Sequence, residues 1–211
     1  MRRISFIAIL LPCLLFGQSR SGPRAGLAIA TISSGYLLQW NGSAQLGPIV
    51  GWSWEVPWTE QASFLIEPMY IAKGSYVRNA VSQQSNSKRL GFVELPIILK
   101  LSISKDKGGV FLSGGIMGGY LVTSKQVVRQ NNGSALVSND YLAGSRRRFQ
   151  YGVALGAGFD KGNFSFEARA QTSLSPFNPV YQAQNLLIGL HFTYYIPKKA
   201  DRDKKKDEVV E

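Results

Sequence analysis

Side chains change character at every second residue over most of this chain, and that period restricts the backbone to extended strands. Between Asn185 and Ile196, Leu186, Ile188, Leu190, Phe192, Tyr194 and Ile196 share one face, while Leu187, Gly189, His191, Thr193 and Tyr195 share the other. Phe164 to Leu174 repeats the pattern, with Phe164, Phe166, Ala168, Ala170 and Leu174 opposite Ser165, Glu167, Arg169, Gln171 and Ser173. A helix would bring its apolar residues round at roughly every 3.6 positions, whereas successive strand side chains point to opposite faces. The alternation recurs with more interruptions over 24–32, 44–54, 62–73, 90–103, 110–122 and 149–159. Eight strands are expected, with no helix after the N-terminal stretch.

The connectors between these segments alternate in length. Residues 33–43, 74–89, 123–148 and 175–184 form long or intermediate polar stretches, and 55–61, 104–109 and 160–163 are short. An antiparallel meander sends alternate connectors to opposite ends, so every long one falls at the same end. Short turns at one end and long loops at the other are the habit of outer-membrane barrels. The expected fold is therefore all-β, an eight-stranded antiparallel up-and-down transmembrane β-barrel.

A membrane barrel turns its apolar face out and its polar face in. Trp52, Trp54, Trp58, Tyr194 and Tyr195 cluster near the short-turn end, and Tyr70, Tyr120, Phe149 and Tyr151 near the long-loop end. Aromatic belts of this kind suit the two headgroup levels. The opposite faces carry Gly, Ser and a few charges able to pair: Glu67, Lys73, Glu94, Lys100, Glu167 and Arg169. These are expected to form a charge network in a lumen that about eight strands leave just wide enough for side chains. Gly114-Gly115 and Gly118-Gly119 are expected as small interior residues. They lack the strand-to-helix setting of a phosphate loop.

Met1-Arg2-Arg3 followed by an apolar run to Phe16 has the layout of a secretory signal peptide. The expected organisation is a signal peptide over 1–18, a barrel domain over 19–197 and a charged tail over 198–211. Cys13, the single cysteine, lies in the leader, so no disulfide or thiolate site is expected in the mature chain.

Three stretches carry a family resemblance. Glu67-Pro68-Met69-Tyr70-Ile71-Ala72-Lys73-Gly74, Phe92-Val93-Glu94-Leu95-Pro96-Ile97-Ile98-Leu99-Lys100, and Tyr151-Gly152 with Gly156-Ala157-Gly158-Phe159 and Glu167-Ala168-Arg169 resemble PorT-like outer-membrane β-barrel proteins. Gly189-Leu190-His191-Phe192-Thr193-Tyr194 is similar to the assembly signal in the last strand of such barrels, here followed by Pro197 and the tail. The resemblance spans roughly Ala25 to Ile196. It implies an outer-membrane location in a Bacteroidetes-type bacterium, with long loops extracellular, both termini periplasmic, and a role accessory to protein secretion.

No catalytic, cofactor-binding or metal-ligating residue is assigned. His191 is the single histidine, and with no mature cysteine an ordinary zinc site lacks its ligands. The net charge of +11 concentrates in the long connectors, where Lys125, Arg129, Arg146, Arg147 and Arg148 make a basic rim. Nucleic-acid binding would require a recognisable module with stacking aromatics, which is absent. The rim suits outer-membrane lipid and the phosphates of lipopolysaccharide. The expected function is a non-enzymatic, monomeric barrel with a structural or interaction role in the envelope, in contact with envelope or secretion-system proteins. Two alternatives are a lipid-modifying barrel enzyme centred on His191 and a soluble exported barrel binding a small apolar ligand.

Overall fold

A computed structural model describes residues 19–34, 43–78, 85–103, 109–129, 134–139, 148–175 and 183–197. The signal-peptide and tail assignments, and Arg146 and Arg147 of the basic rim, lie outside these residues. The strands are β1 (Arg20–Ser34), β2 (Ser43–Pro57), β3 (Ala62–Ile66), β4 (Met69–Arg78), β5 (Ser85–Ser102), β6 (Gly109–Arg129), β7 (Ala135–Asn139), β8 (Phe149–Lys161), β9 (Phe164–Ser173) and β10 (Ala183–Tyr194). All pairings are antiparallel, and β10 closes on β1 from Arg24↔Thr193 to Ser34↔Ala183.

The ring has eight staves, as the alternation predicts, because two of the ten strands add none. β3 and β4 are one stave interrupted at Glu67-Pro68, and both halves pair with β2 and with β5. Pro68 has no N–H to give a ladder. The break is bridged by its carbonyl, which accepts from Trp52 N at 3.0 Å, while Glu67 N donates to Pro96 O at 3.1 Å. β7 pairs only with the far end of β6 among the described residues, beyond the ring.

Strands run further than the sequence indicates. β1, the least regular segment, begins at Arg20, and β2 extends through Glu55 to Pro57. Within 74–89 and 123–148, expected as loops, the described residues 74–78, 85–89, 124–129 and 135–139 instead continue the ladder. Gly74–Arg78 pairs with Ser85–Arg89, Ser85–Leu90 pairs with Ser124–Arg129, and Lys125–Arg129 pairs with β7. A twisted sheet of four strand ends therefore projects past the barrel at the long-loop end. These segments are rich in Ser, Asn, Lys and Arg and hide no apolar face, so alternation is silent there. Lys125 and Arg129 thus lie on a strand, not in a loop.

The outer face is apolar throughout the ring. Leu27, Leu46, Val50, Val93, Leu112, Ile116, Leu155 and Leu190 all stand exposed. Trp54, Trp58 and Tyr194 project outward near the short turns, and Tyr70, Tyr120, Phe149 and Tyr151 near the long loops. Tyr195 departs from the expected belt. It is 2% exposed and lies inside, with the Arg20 guanidinium 4.1 Å above its ring. Gly114 and Gly118 also depart from expectation. The alternation of β6 sends Gly115 and Gly119 inward but leaves these two on the outside, under Leu155 and Phe149.

Inside, the two halves of the barrel differ. Charged and hydroxyl side chains fill the middle and the short-turn half, around buried Leu65, Ile98, Ala154 and Phe111. The long-loop half holds an apolar plug of Ile49, Met69, Ile71, Leu90, Phe92, Leu121 and Leu187, packed on Ala28 and Ala30. At the short-turn end β8 and β9 meet through Gly162-Asn163, where Gly162 takes φ 59°. That backbone conformation suits glycine in a two-residue hairpin loop.

Candidate functional site

The six charges expected in the lumen are all buried there: Glu67, Lys73, Glu94, Lys100, Glu167 and Arg169. They do not pair only with one another. Arg24, whose segment shows weak alternation, turns inward from β1 and joins Arg169 in clasping the two central glutamates. Arg24 reaches Glu67 Oε1 at 3.0 Å and Glu167 Oε2 at 2.5 Å. Arg169 reaches Glu67 Oε2 at 2.6 Å and Glu167 Oε2 at 2.7 Å. Each guanidinium therefore bridges both carboxylates in a closed square. Ser53 donates to Glu67 at 3.2 Å and Ser113 to Glu167 at 2.5 Å. Space for the square comes from Gly156, where a Cβ would fall 2.6 Å from Ser113 Oγ and 2.8 Å from Glu167 Oε1.

A second cluster closes the short-turn end. Lys100 Nζ lies 2.6 Å from Asp160 Oδ2 and 3.2 Å from Glu55 Oε2. Arg20 reaches the same two carboxylates at 2.5 and 2.9 Å. Glu55 and Asp160 fall at strand ends that the sequence assigns to short turns, and the inward pleat of β2 and β8 brings them over Lys100. Lys73 and Glu94 form a third contact, 2.5 Å apart, alongside Phe92 of the apolar plug. Their geometry does not align as a hydrogen bond. Among the described residues the interior thus holds five cations, Arg20, Arg24, Lys73, Lys100 and Arg169, against five carboxylates, Glu55, Glu67, Glu94, Asp160 and Glu167. Buried charges are tolerable when paired and hydrogen-bonded. The equal count satisfies the first condition.

His191 is buried beside this square, opposite Glu167 in register. Its Nδ1 accepts from Arg24 Nε at 3.1 Å, and its Nε2 has no partner among the described residues. An imidazole that accepts at Nδ1 carries its proton on Nε2 when neutral. A hydrolase base needs the reverse, an Nδ1–H held by an acid and a free Nε2 aimed at a serine. Ser113, a hydroxyl at the same square, donates to Glu167. Among the described residues no group of three or more His, Cys, Asp and Glu side chains is arranged to hold a metal.

Of the basic rim, Lys125 and Arg129 are exposed on the projecting end of β6. Arg148 is half-buried just before β8, and its carbonyl accepts from Leu121 N at 2.8 Å. Sequence reasoning missed Arg20, Arg24, Glu55 and Asp160 in the interior, and Arg89 outside. Arg24 was detectable: it stands two residues before Gly26 and four before Ala28 on the inward face.

A ring with an apolar exterior, aromatic rims and a filled polar interior defines an integral outer-membrane β-barrel. The sequence matches the outer membrane protein β-barrel domain family over residues 16–178, and the chain belongs to that family. Several solved structures are similar to the chain. Neisserial surface protein A is 13% identical, with a TM-score of 0.50, covering 83% of this chain and 97% of that one. The attachment invasion locus protein Ail of Yersinia pestis is 13% identical, with a TM-score of 0.48, covering 84% of this chain and 99% of that one. The N-terminal barrel of Pseudomonas aeruginosa OprF is 12% identical, with a TM-score of 0.38, covering 85% and 100%. No curated protein matches the sequence.

Proposed function

We propose that this outer-membrane barrel is non-enzymatic and serves as an interaction platform in the envelope, with its long-loop sheet outside the cell and both termini in the periplasm. The observation that carries this reading is the interior. Among the described residues, a neutral charge network and an apolar plug occupy much of the lumen, and the buried His191 accepts from Arg24 instead of presenting a hydrolase base. What remains available is the projecting sheet of β4 to β7, with its basic side chains. The PorT-type resemblance in Phe92–Lys100 supports the finer reading of an accessory to protein secretion in a Bacteroidetes-type bacterium, entered by way of a cleaved leader over 1–18. Lipid and lipopolysaccharide are the surrounding partners that a basic rim at the outer leaflet favours.

Planar-bilayer recording of the purified full-length protein tests the carrying observation. No stable stepwise conductance is expected, and porin-sized steps at neutral pH would overturn the filled-lumen reading. The enzymatic alternative has its own test in a His191→Ala strain, whose envelope lipid profile is expected to equal that of wild type. Loss of a lipid species there would put catalysis in place of the non-enzymatic reading.

A further inference from the structure

Where β6 leaves the ring, its pairing with β5 slips by one residue. Phe92 faces Leu121 but Gly91 faces Thr123, so Val122 is the extra residue of a β-bulge. The bulge leaves Val122 and Thr123 both exposed on the outer surface, one after the other. Bulges re-aim side chains in this way and occur at barrel rims and beside sites. Opposite them, Gly91 has no side chain. The Tyr70 hydroxyl and Thr123 Oγ1 converge on the space its Cβ would take, so a larger residue there would displace both hydroxyls. The result is an open cleft of about 630 Å³ between β4, β5, β6 and β7.

The upper wall of this cleft is cationic. Register sets Gly74, Arg89, Lys125 and Asn139 in one cross-strand row. Arg89 and Lys125 are direct neighbours, and like charges opposite one another destabilise a sheet. No described residue lining the cleft is acidic. Arg89 is nevertheless held in place. Gln45 reaches across Gly74, and with its amide turned to suit both neighbours it accepts from Arg89 Nε and donates to Lys88 O, each at 2.8 Å. The lower wall is Val122 and the ring of Tyr70. It continues down the outer face into the aromatic belt at Val93 and Tyr120.

We propose that this cleft is a binding site for the phosphorylated head of an outer-leaflet glycolipid. The inference rests on the membrane placement proposed above. Arg89 and Lys125 take the phosphate, whose charge removes their mutual repulsion. The Tyr70 and Thr123 hydroxyls meet sugar or phosphate oxygens, and an acyl chain descends along Val122, Tyr70 and Val93. The lipid head is favoured over free phosphate because the cationic row sits directly above an apolar surface that continues into the bilayer face.

The test is native mass spectrometry and nanodisc binding of the full-length protein with bisphosphorylated lipid A, its dephosphorylated form, and inorganic phosphate. Wild type is expected to retain bisphosphorylated lipid A, to lose that retention in high salt, and to bind the dephosphorylated form weakly. Arg89→Gln with Lys125→Gln should weaken retention about tenfold or more, each lost contact being a charge-assisted hydrogen bond. Heat-modifiable gel migration should be unchanged, which separates loss of binding from loss of fold. Retention in the double variant equal to wild type overturns the site. Displacement by millimolar inorganic phosphate overturns the lipid assignment and leaves an anion site. Placement has a separate readout: Val137→Cys should react with an impermeant maleimide on intact cells. Binding in nanodiscs without such labelling sinks the orientation alone, and labelling with unaltered binding by the double variant sinks the cleft alone.

Discussion

Glu167→Gln is expected to cost the folded barrel about 3–5 kcal/mol, the range for breaking a buried ion pair by removing one partner. Glu167 is 3% exposed and is held by Arg24, Arg169 and Ser113 at once. Neutralising it leaves two guanidiniums facing Glu67 alone, in an interior with no described acid to spare. The magnitude separates two pictures of the lumen. If water ran through it, the square would behave like a surface network and the loss would be about 0–1 kcal/mol. Urea titration of the protein folded in vesicles reads the value. Arg24→Leu added to Glu167→Gln restores one cation against one acid at Arg169–Glu67. The double variant should therefore lose less than the sum of the two single losses, by about 0.5–3 kcal/mol as expected for groups sharing one network. Strict additivity, or a small single loss, would mean that the square is solvated and the plug leaks.

The sequence announces the barrel because membrane burial writes itself into alternation. Every stave that faces lipid must carry apolar residues at every second position, and the loops sort by length because only one end can bear them. Inner-face charges are legible for the same reason: Glu67, Glu94, Lys100, Glu167 and Arg169 stand out as polar interruptions opposite long apolar runs. The partners of those charges are not legible. Arg24 bonds to Glu67 and Glu167 across 43 and 143 residues, and such pairing depends on shear and closure, which no local pattern encodes. Arg20, Glu55 and Asp160 sit where strands end, and the period fades there before the lumen does. The apolar plug was hidden by its own composition, since Ile71, Leu90, Phe92 and Leu187 on the inner face blur the alternation that identifies the outer one. The cleft at Gly91 follows from a one-residue slip in register. Gly91, Val122 and Thr123 are individually ordinary, and only the pairing of β5 with β6 brings them together.

Leu155→Arg should destabilise the bilayer-inserted barrel by about 2–4 kcal/mol, whereas Val110→Arg should cost only about 0–1 kcal/mol. Both side chains are exposed, Leu155 at 69% and Val110 at 54%, so burial within the protein does not distinguish them. Depth does. Leu155 lies midway along β8 between Phe149 and Lys161, and Val110 is the second residue of β6, near the short turns. An arginine at the midplane must be desolvated or must drag water and headgroups inward, while one near the interface can snorkel. On the surface of a water-soluble barrel both positions would meet solvent, and each change would fall within about 0.5 kcal/mol of neutral. The pair therefore measures the environment of the outer face rather than the integrity of the ring. Folding free energies from denaturant titration into vesicles give the contrast directly. Equal and small losses at both positions would show that water, not lipid, covers Leu155. A steep difference between them would fix the bilayer midplane near the middle of β8. That result would set the aromatic belt of Tyr70 and Tyr120 at one of the two headgroup levels, with the cationic row beyond it.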